Sequence, residues 1–134
     1  MPENAKIIEP LAKFHARILY NGRIAIPENT RLRYGFDKGD WVELLIRKVQ
    51  LNGGLILGRG HFFARVTNKG LITIPKGLRD ELGLQEKEIV EVILLDFFKI
   101  ETLLKEKGIR TSKLIHEGYE VLDEEAERML LLKN

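Results

Sequence analysis

Apolar and polar residues alternate along "FHARILY" (14–20). Phe14, Ala16, Ile18 and Tyr20 fall on one face, and His15, Arg17 and Leu19 on the other. A period of two predicts a strand with one buried face. Asn21-Gly22 follows, a dipeptide that tolerates positive φ and predicts a tight turn. The alternation resumes over 23–26, with Ile24 and Ile26 inward and Arg23 and Ala25 outward. Pro27 has no N–H for a ladder but suits the first turn of a helix, so a short helix is expected near 28–34, stopped at Gly35. After the polar turn "DKGD", the stretch "WVELLIRKV" sets Val42, Leu44 and Ile46 on one face. "NGG" (52–54) then predicts a hairpin into "LILG" (55–58).

The same succession recurs 48 residues later, where "GLITIPKGLRDELG" (70–83) matches "GRIAIPENTRLRYG" (22–35). The offset holds without a gap from Phe14/Phe62 to Ile46/Leu94. Identical pairs are Phe14/Phe62, Ala16/Ala64, Arg17/Arg65, Gly22/Gly70, Ile24/Ile72, Ile26/Ile74, Pro27/Pro75, Arg31/Arg79, Gly35/Gly83, Val42/Val90 and Glu43/Glu91, which is 11 of 33 positions. Unrelated segments of ordinary composition would share roughly 2. In the second copy Leu78 and Leu82 lie four apart and would face the core; Thr30 and Tyr34 take those places in the first. Its last strand, "IVEVILL", is expected to turn back at Asp96 into "FFKIE". Each copy therefore reads as β-β-α-β-β, with repeats at about 14–58 and 62–101. A 33-residue unit is too small to fold alone. Two units pairing into one closed barrel would bury both isoleucine faces and remove exposed strand edges.

Composition narrows the chemistry. The 134 residues include no cysteine, so disulfides, thiol nucleophiles and cysteine-held metals are excluded. His15, His61 and His116 are too scattered to suggest a metal site. "GGLILGRG" (53–60) lacks a P-loop lysine and reads as a hairpin turn and inter-repeat linker. No enzyme signature, cofactor motif or metal motif is present, and catalytic, cofactor and metal residues are accordingly expected to be none. No apolar run reaches the length of a membrane span, and the first residues do not read as a signal peptide, so a cytoplasmic protein without a membrane partner is expected.

Net charge is only +2, but its distribution is uneven. Residues 14–61 carry Arg17, Arg23, Arg31, Arg33, Lys38, Arg47, Lys48 and Arg59 against Glu28, Asp37, Asp40 and Glu43, a balance of +4. Residues 62–101 and 102–134 each carry −1. Arg17 and Arg23 point away from the isoleucine face, and on adjacent strands they can lie together. Arginines on an outward ribbon suit phosphate neutralisation and bidentate contacts to guanine in the major groove. Trp41, Tyr20 and Tyr34 could stack on bases, but packing in the core or at a barrel end is the expectation.

At "GRIAIP…R…G" and "GLITIP…LR…LG", a turn glycine, an alternating strand, "IP", a helix arginine, a closing glycine and then an acidic turn, the chain resembles the AbrB/SpoVT/MazE superfamily of swapped-hairpin DNA-binding domains over about residues 13–101. The resemblance implies a mainly β, α+β fold: a swapped-hairpin barrel spanning 12–101, built from two tandem copies. It also implies double-stranded DNA as partner, and a cytoplasmic, nucleoid-associated transcription regulator. Arg23 matches the basic residue after the turn glycine, Arg31 and Arg79 the helix arginine, and Arg17 and Arg65 a first-strand basic residue. With Arg33 and Lys69 these form the expected DNA-binding set. The alternative it implies is an antitoxin with an operator-binding barrel and a toxin-binding tail.

Residues 102–134 do not repeat and are expected to form a C-terminal helical tail. In "DEEAERMLLLKN" Asp123 can cap a helix whose first turn is acidic. Four apolar residues, Met129 to Leu132, must meet something. Its own barrel, a sister chain or another protein could serve through 119–132; docking on the barrel or a sister chain is the expectation.

Overall fold

A computed structural model describes residues 6–7, 9–50, 52, 54–99 and 118–133. The strands are β1 (Lys6–Ile7), β2 (Ala12–Arg17), β3 (Arg23–Ala25), β4 (Trp41–Gln50), β5 (Leu55–Arg65), β6 (Leu71–Thr73), β7 (Ile89–Phe98), β8 (Glu120–Leu122) and β9 (Leu132–Lys133). The helices are α1 (Glu28–Tyr34), α2 (Lys76–Leu82) and α3 (Glu124–Leu130), with 3-10 turns at Tyr20–Gly22 and Asn68–Gly70. One antiparallel sheet has the order β2-β7-β4-β5-β8, and β3 pairs with β6 in a short ribbon over it. The architecture is the expected mainly β, α+β one with a barrel-like sheet.

The pairing is an exchange between halves. β2 pairs with β7 and β5 with β4, so the first strand of each half lies beside the last strand of the other. Between β3 and β6, Ile24 sits opposite Ile72 at the centre of the register. Backbone bonds recur in mirrored pairs. The Ile26 N–H donates to Gly70 O and the Ile74 N–H to Gly22 O, both at 2.9 Å. The Ile18 N–H donates to Glu88 O and the Val66 N–H to Asp40 O, both at 2.8 Å. The backbone is therefore pseudo-twofold about an axis through Ile24/Ile72.

Strands of three residues cannot hold together by their hydrogen bonds alone. Side-chain burial supplies the difference. Ile24, Ile26, Ile72 and Ile74 are buried with Val42, Leu44, Ile46, Val90, Val92 and Leu94 from the sheet. Each such side chain removed from water contributes about 1.5–3 kcal/mol. The halves are unequal at the helices: Leu78 is fully buried, whereas Tyr34 packs at the margin and donates from its hydroxyl to Leu11 O at 2.7 Å.

Two strand boundaries differ from the sequence reading. Residues 55–60 are neither a separate return strand nor a linker, because β5 runs unbroken from Leu55 to Arg65. The glycines that read as breaks lie under α2: a Cβ at Gly60 would come within 2.5 Å of Leu78, and one at Gly58 within 2.9 Å of Leu82. Asp96 likewise does not turn the chain. β7 passes through it, absorbing an irregularity opposite Glu43 and Leu44. Each half is thus β-β-α-β.

The described part of the tail returns to its own chain. β8 extends the sheet from β5, and β9 pairs with β1. α3 begins at Asp123, whose side chain accepts from the Ala126 N–H at 2.7 Å. Ala126, Leu130 and Leu131 cover Leu45, Ile93, Leu95 and Leu122 on the sheet face opposite the ribbon. The helix ends at Leu130 rather than continuing to the terminus, because Leu132 is taken up in β9. Residues 101–117, including His116, lie outside the described residues.

Candidate nucleic-acid interface

The ribbon and the two 3-10 turns form one end of the molecule. Ile24 and Ile72 point inward, which leaves Arg23, Ala25, Leu71 and Thr73 on the outward side, with Arg23 opposite Thr73. Asn21 and Lys69 take left-handed conformations at φ 61 and 63, so each turn reverses within three residues and projects its tip.

The basic residues divide into two kinds. Arg17, Arg33, Arg65 and Lys69 are exposed, and Arg23 is partly so. Arg17 Nη1 donates to Lys87 O at 3.0 Å, and Arg23 Nε to Tyr20 O at 3.3 Å. Arg33 lies over the Tyr34 ring at 5.5 Å. Arg31 and Arg79 instead brace the fold. Arg31 Nε donates to Ile26 O at 3.2 Å and Arg79 Nε to Ile74 O at 3.0 Å. Each arginine also spans the axis, Arg31 lying against Gly70 and Arg79 against Gly22. Arg31 further pairs with Asp37 at 3.2 Å. Arg79 and Arg23 therefore gather at the first turn, and Arg31 and Lys69 at the second. Arg17 and Arg65 lead into the two turns.

Among the described residues, no carboxylate lies within ion-pairing distance of Arg17, Arg23, Arg33, Arg65, Lys69 or Arg79. The bases paired most closely are elsewhere, on the tail side of the sheet. Glu127 of α3 is buried between Arg47 and Arg59, and Arg47 also reaches Glu91 at 2.6 Å. Arg59 Nε approaches Glu127 at 2.5 Å without hydrogen-bond alignment. Burial disfavours the Arg47 charge, but hydrogen bonds and attraction from Glu127 and Glu91 outweigh it and hold its pKa above the usual arginine value.

His61 is similarly enclosed, with its side chain 3% exposed. Its Nε2 meets Glu43 of β4 at 2.7 Å and its Nδ1 meets Glu120 of β8 at 2.6 Å. Burial alone would lower its pKa, and the two carboxylates more than reverse that, raising it. These tail anchors escaped the sequence reading. The available signal was Glu127 itself, an acid three and four residues before Leu130 and Leu131 and so on the apolar side of the helix.

Tyr20 departs from the packing expected of it and is 66% exposed. The period-two alternation ends at buried Ile18, and Tyr20 already belongs to the turn. Leu32 on α1 is 73% exposed. Trp41 is half-buried on β4, opposite Arg65. No helix among the described residues is long and apolar enough to cross a membrane.

Residues 63–96 match the family described as "Antidote-toxin recognition MazE, bacterial antitoxin", a segment running from β5 through the second turn and α2 into β7. At family level this MazE/AbrB-like segment goes with DNA-binding regulators and antitoxins. No curated protein matches the chain. The solution structure of PHS018 from Pyrococcus horikoshii is similar, with 44% identity over 68% of this chain and 96% of that one, at a TM-score of 0.61. With that identity over nearly the whole of PHS018, the chain belongs to the same family as PHS018 and carries a MazE-like segment in its second half.

Proposed function

We propose that the protein is a non-enzymatic, DNA-binding transcription regulator of the cytoplasm, associated with the nucleoid. In this reading two tandem AbrB-like copies over 12–101 form the DNA-binding barrel, and 102–134 is an appendage to it. Arg17, Arg23, Arg33, Arg65 and Lys69 contact DNA directly, and Arg31 and Arg79 hold the turns that present them. The observation that carries the proposal is that the outward bases have no carboxylate partner among the described residues, while Arg47 and Arg59 on the opposite face are neutralised within the fold. Guanidinium groups with no carboxylate partner among the described residues, on the ribbon, on the strands that lead into it and on α1, keep their charge for phosphates and free donors for base edges.

The test is a mobility shift on duplex DNA from upstream of the protein's own gene, at two salt concentrations. Binding at the lower concentration that weakens steeply at the higher is expected. No shift at low salt, or a response indifferent to salt, counts against the proposal.

The antitoxin reading draws on the MazE match. Binding a toxin through Ala126, Glu127, Leu130 and Leu131 would require that part of the tail to leave the sheet, since these residues are engaged there. A small protein that co-purifies with the full chain, and is lost when 102–134 is deleted, would favour it.

A further inference from the structure

The two halves agree in backbone and disagree in contact chemistry. Mirrored hydrogen bonds at Ile26/Ile74 and Ile18/Val66 give the presenting end two equivalent positions for every residue. At those positions Arg23 corresponds to Leu71, Tyr20 to Asn68, Arg33 to Glu81 and Lys38 to Glu86. At these positions the first half offers two arginines, a lysine and an exposed aromatic ring where the second offers a leucine, an amide and two acids; at the turn tips the order reverses, with Lys69 where the first half has Asn21.

The tail sharpens the difference. Tyr119 donates from its hydroxyl to Glu81 at 3.0 Å, and the same oxygen lies 2.5 Å from where a Cβ on Gly77 would stand. That outer side of α2 is therefore occupied. The corresponding side of α1, at Asn29 and Arg33, is exposed.

We infer that each chain reads a DNA sequence lacking inversion symmetry, with base-specific contact supplied by Arg23 and Arg33 and not by their counterparts Leu71 and Glu81. The inference rests on the proposed DNA binding. A twofold protein surface imposes a twofold site because equal groups meet equal half-sites. Here the groups are unequal: leucine can offer only apolar contact where Arg23 can hold guanine by two hydrogen bonds, and Glu81 has no donor for guanine where Arg33 has a guanidinium and is repelled by the flanking phosphates. Arg17 and Arg65, identical in the two halves, are left to phosphate contacts that fix position.

The experiment is selection of bound duplexes from a randomised pool by the full chain and by a Leu71→Arg/Glu81→Arg variant, with thermal melting as a control for folding. The wild-type consensus is expected to show no inverted repeat within one helical turn, about 10 base pairs. The double variant is expected to acquire one. Arg23→Ala should weaken the selected site about tenfold or more, and Leu71→Ala less than about twofold, in line with one bidentate base contact. An inverted repeat within one turn of the wild-type consensus, or retention of DNA with no base preference, overturns the inference while leaving DNA binding intact. If neither protein retains duplex at any salt concentration, the proposed function falls as well.

Discussion

Arg79 lies across Gly22, its Nε 2.3 Å from where a Cβ on that glycine would stand. The two residues belong to opposite halves, and the Arg31–Gly70 pair reproduces the arrangement at the same 2.3 Å. The same Arg79 Nε donates to Ile74 O, so one guanidinium ties its own strand–helix junction to the other half's turn. Gly22 has φ +74, which independently disfavours a side chain. Gly22→Ala should therefore cost about 1–2 kcal/mol for the backbone conformation alone, and more for the displaced arginine. Urea unfolding of Gly22→Ala, Arg79→Ala and the double variant checks this. The double variant should be less unstable than the sum of the singles, because removing Arg79 relieves the collision.

Ile24 and Ile72 face each other at the pseudo-twofold axis with no exposure. Ile24→Asp or Ile72→Asp would bury an unpaired carboxylate in the core shared by the halves. Loss of cooperative folding is expected from either one, because neither half retains an interior of its own. Circular dichroism melting checks it; a folded Ile24→Asp variant would mean that the halves do not depend on one interior.

These core positions were legible in the sequence because the information is local. Alternation, Asn-Gly and the proline-to-glycine interval each fix geometry within a few residues, and repetition after 48 positions made each half a check on the other. What was not legible depends on residues remote in the chain. Gly58 and Gly60 read as breaks until Leu82 and Leu78 are seen to fill the space above them. Nothing local shows that Arg31 and Arg79 each lie on a glycine of the other half. Tail docking rests on pairs such as Glu120 with His61 and Glu127 with Arg47, whose spacing carries no periodic signal.

His61 makes tail docking sensitive to pH. Doubly protonated, the ring donates to Glu43 and Glu120 together. Neutral, it donates to one and turns a lone pair toward the other. Its folded pKa is raised above the unfolded value of about 6.5. The contribution to stability is therefore complete below about pH 6.5 and is lost as pH rises through the folded pKa. Urea midpoints for the wild type should fall across that upper range, once Glu43 and Glu120 are both ionised. His61→Gln should flatten this part of the profile and lower stability at pH 6 by about 1.5–3 kcal/mol, the contribution of a hydrogen bond to a charged group.

Glu127 is the counter-charge for Arg47 and Arg59 beneath α3. Its removal leaves two enclosed guanidinium groups, with Glu91 the one carboxylate beside Arg47 among the described residues. Glu127→Ala should cost about 3 kcal/mol, the lower end for a broken buried pair because some water reaches this one. The loss should be local to the tail, since the Ile24/Ile72 core lies on the other side of the sheet. Limited proteolysis should cut the variant near 118–133 faster than the wild type while leaving 12–99 intact. Uniform digestion of both regions would show that the tail is integral to folding of the barrel.

Arg17 and Arg65 are symmetry counterparts, exposed and without carboxylate partners among the described residues, so they fit phosphate contacts and not base recognition. Each phosphate neutralised releases condensed counterion and adds about 0.9 to the steepness of log K against log salt. Arg17→Ala/Arg65→Ala should thus reduce that slope by about 1.8, twice the single-contact value. Both side chains lie outside the core, and the fold should keep its melting temperature. The effect should be uniform across DNA sequences, in contrast to Arg23→Ala, which should relax preference at one base position. Fluorescence anisotropy over a salt series, on a selected site and a scrambled one, separates the two behaviours. An unchanged slope in the double variant would remove Arg17 and Arg65 from the interface and leave Arg23, Arg33 and Lys69 to carry it.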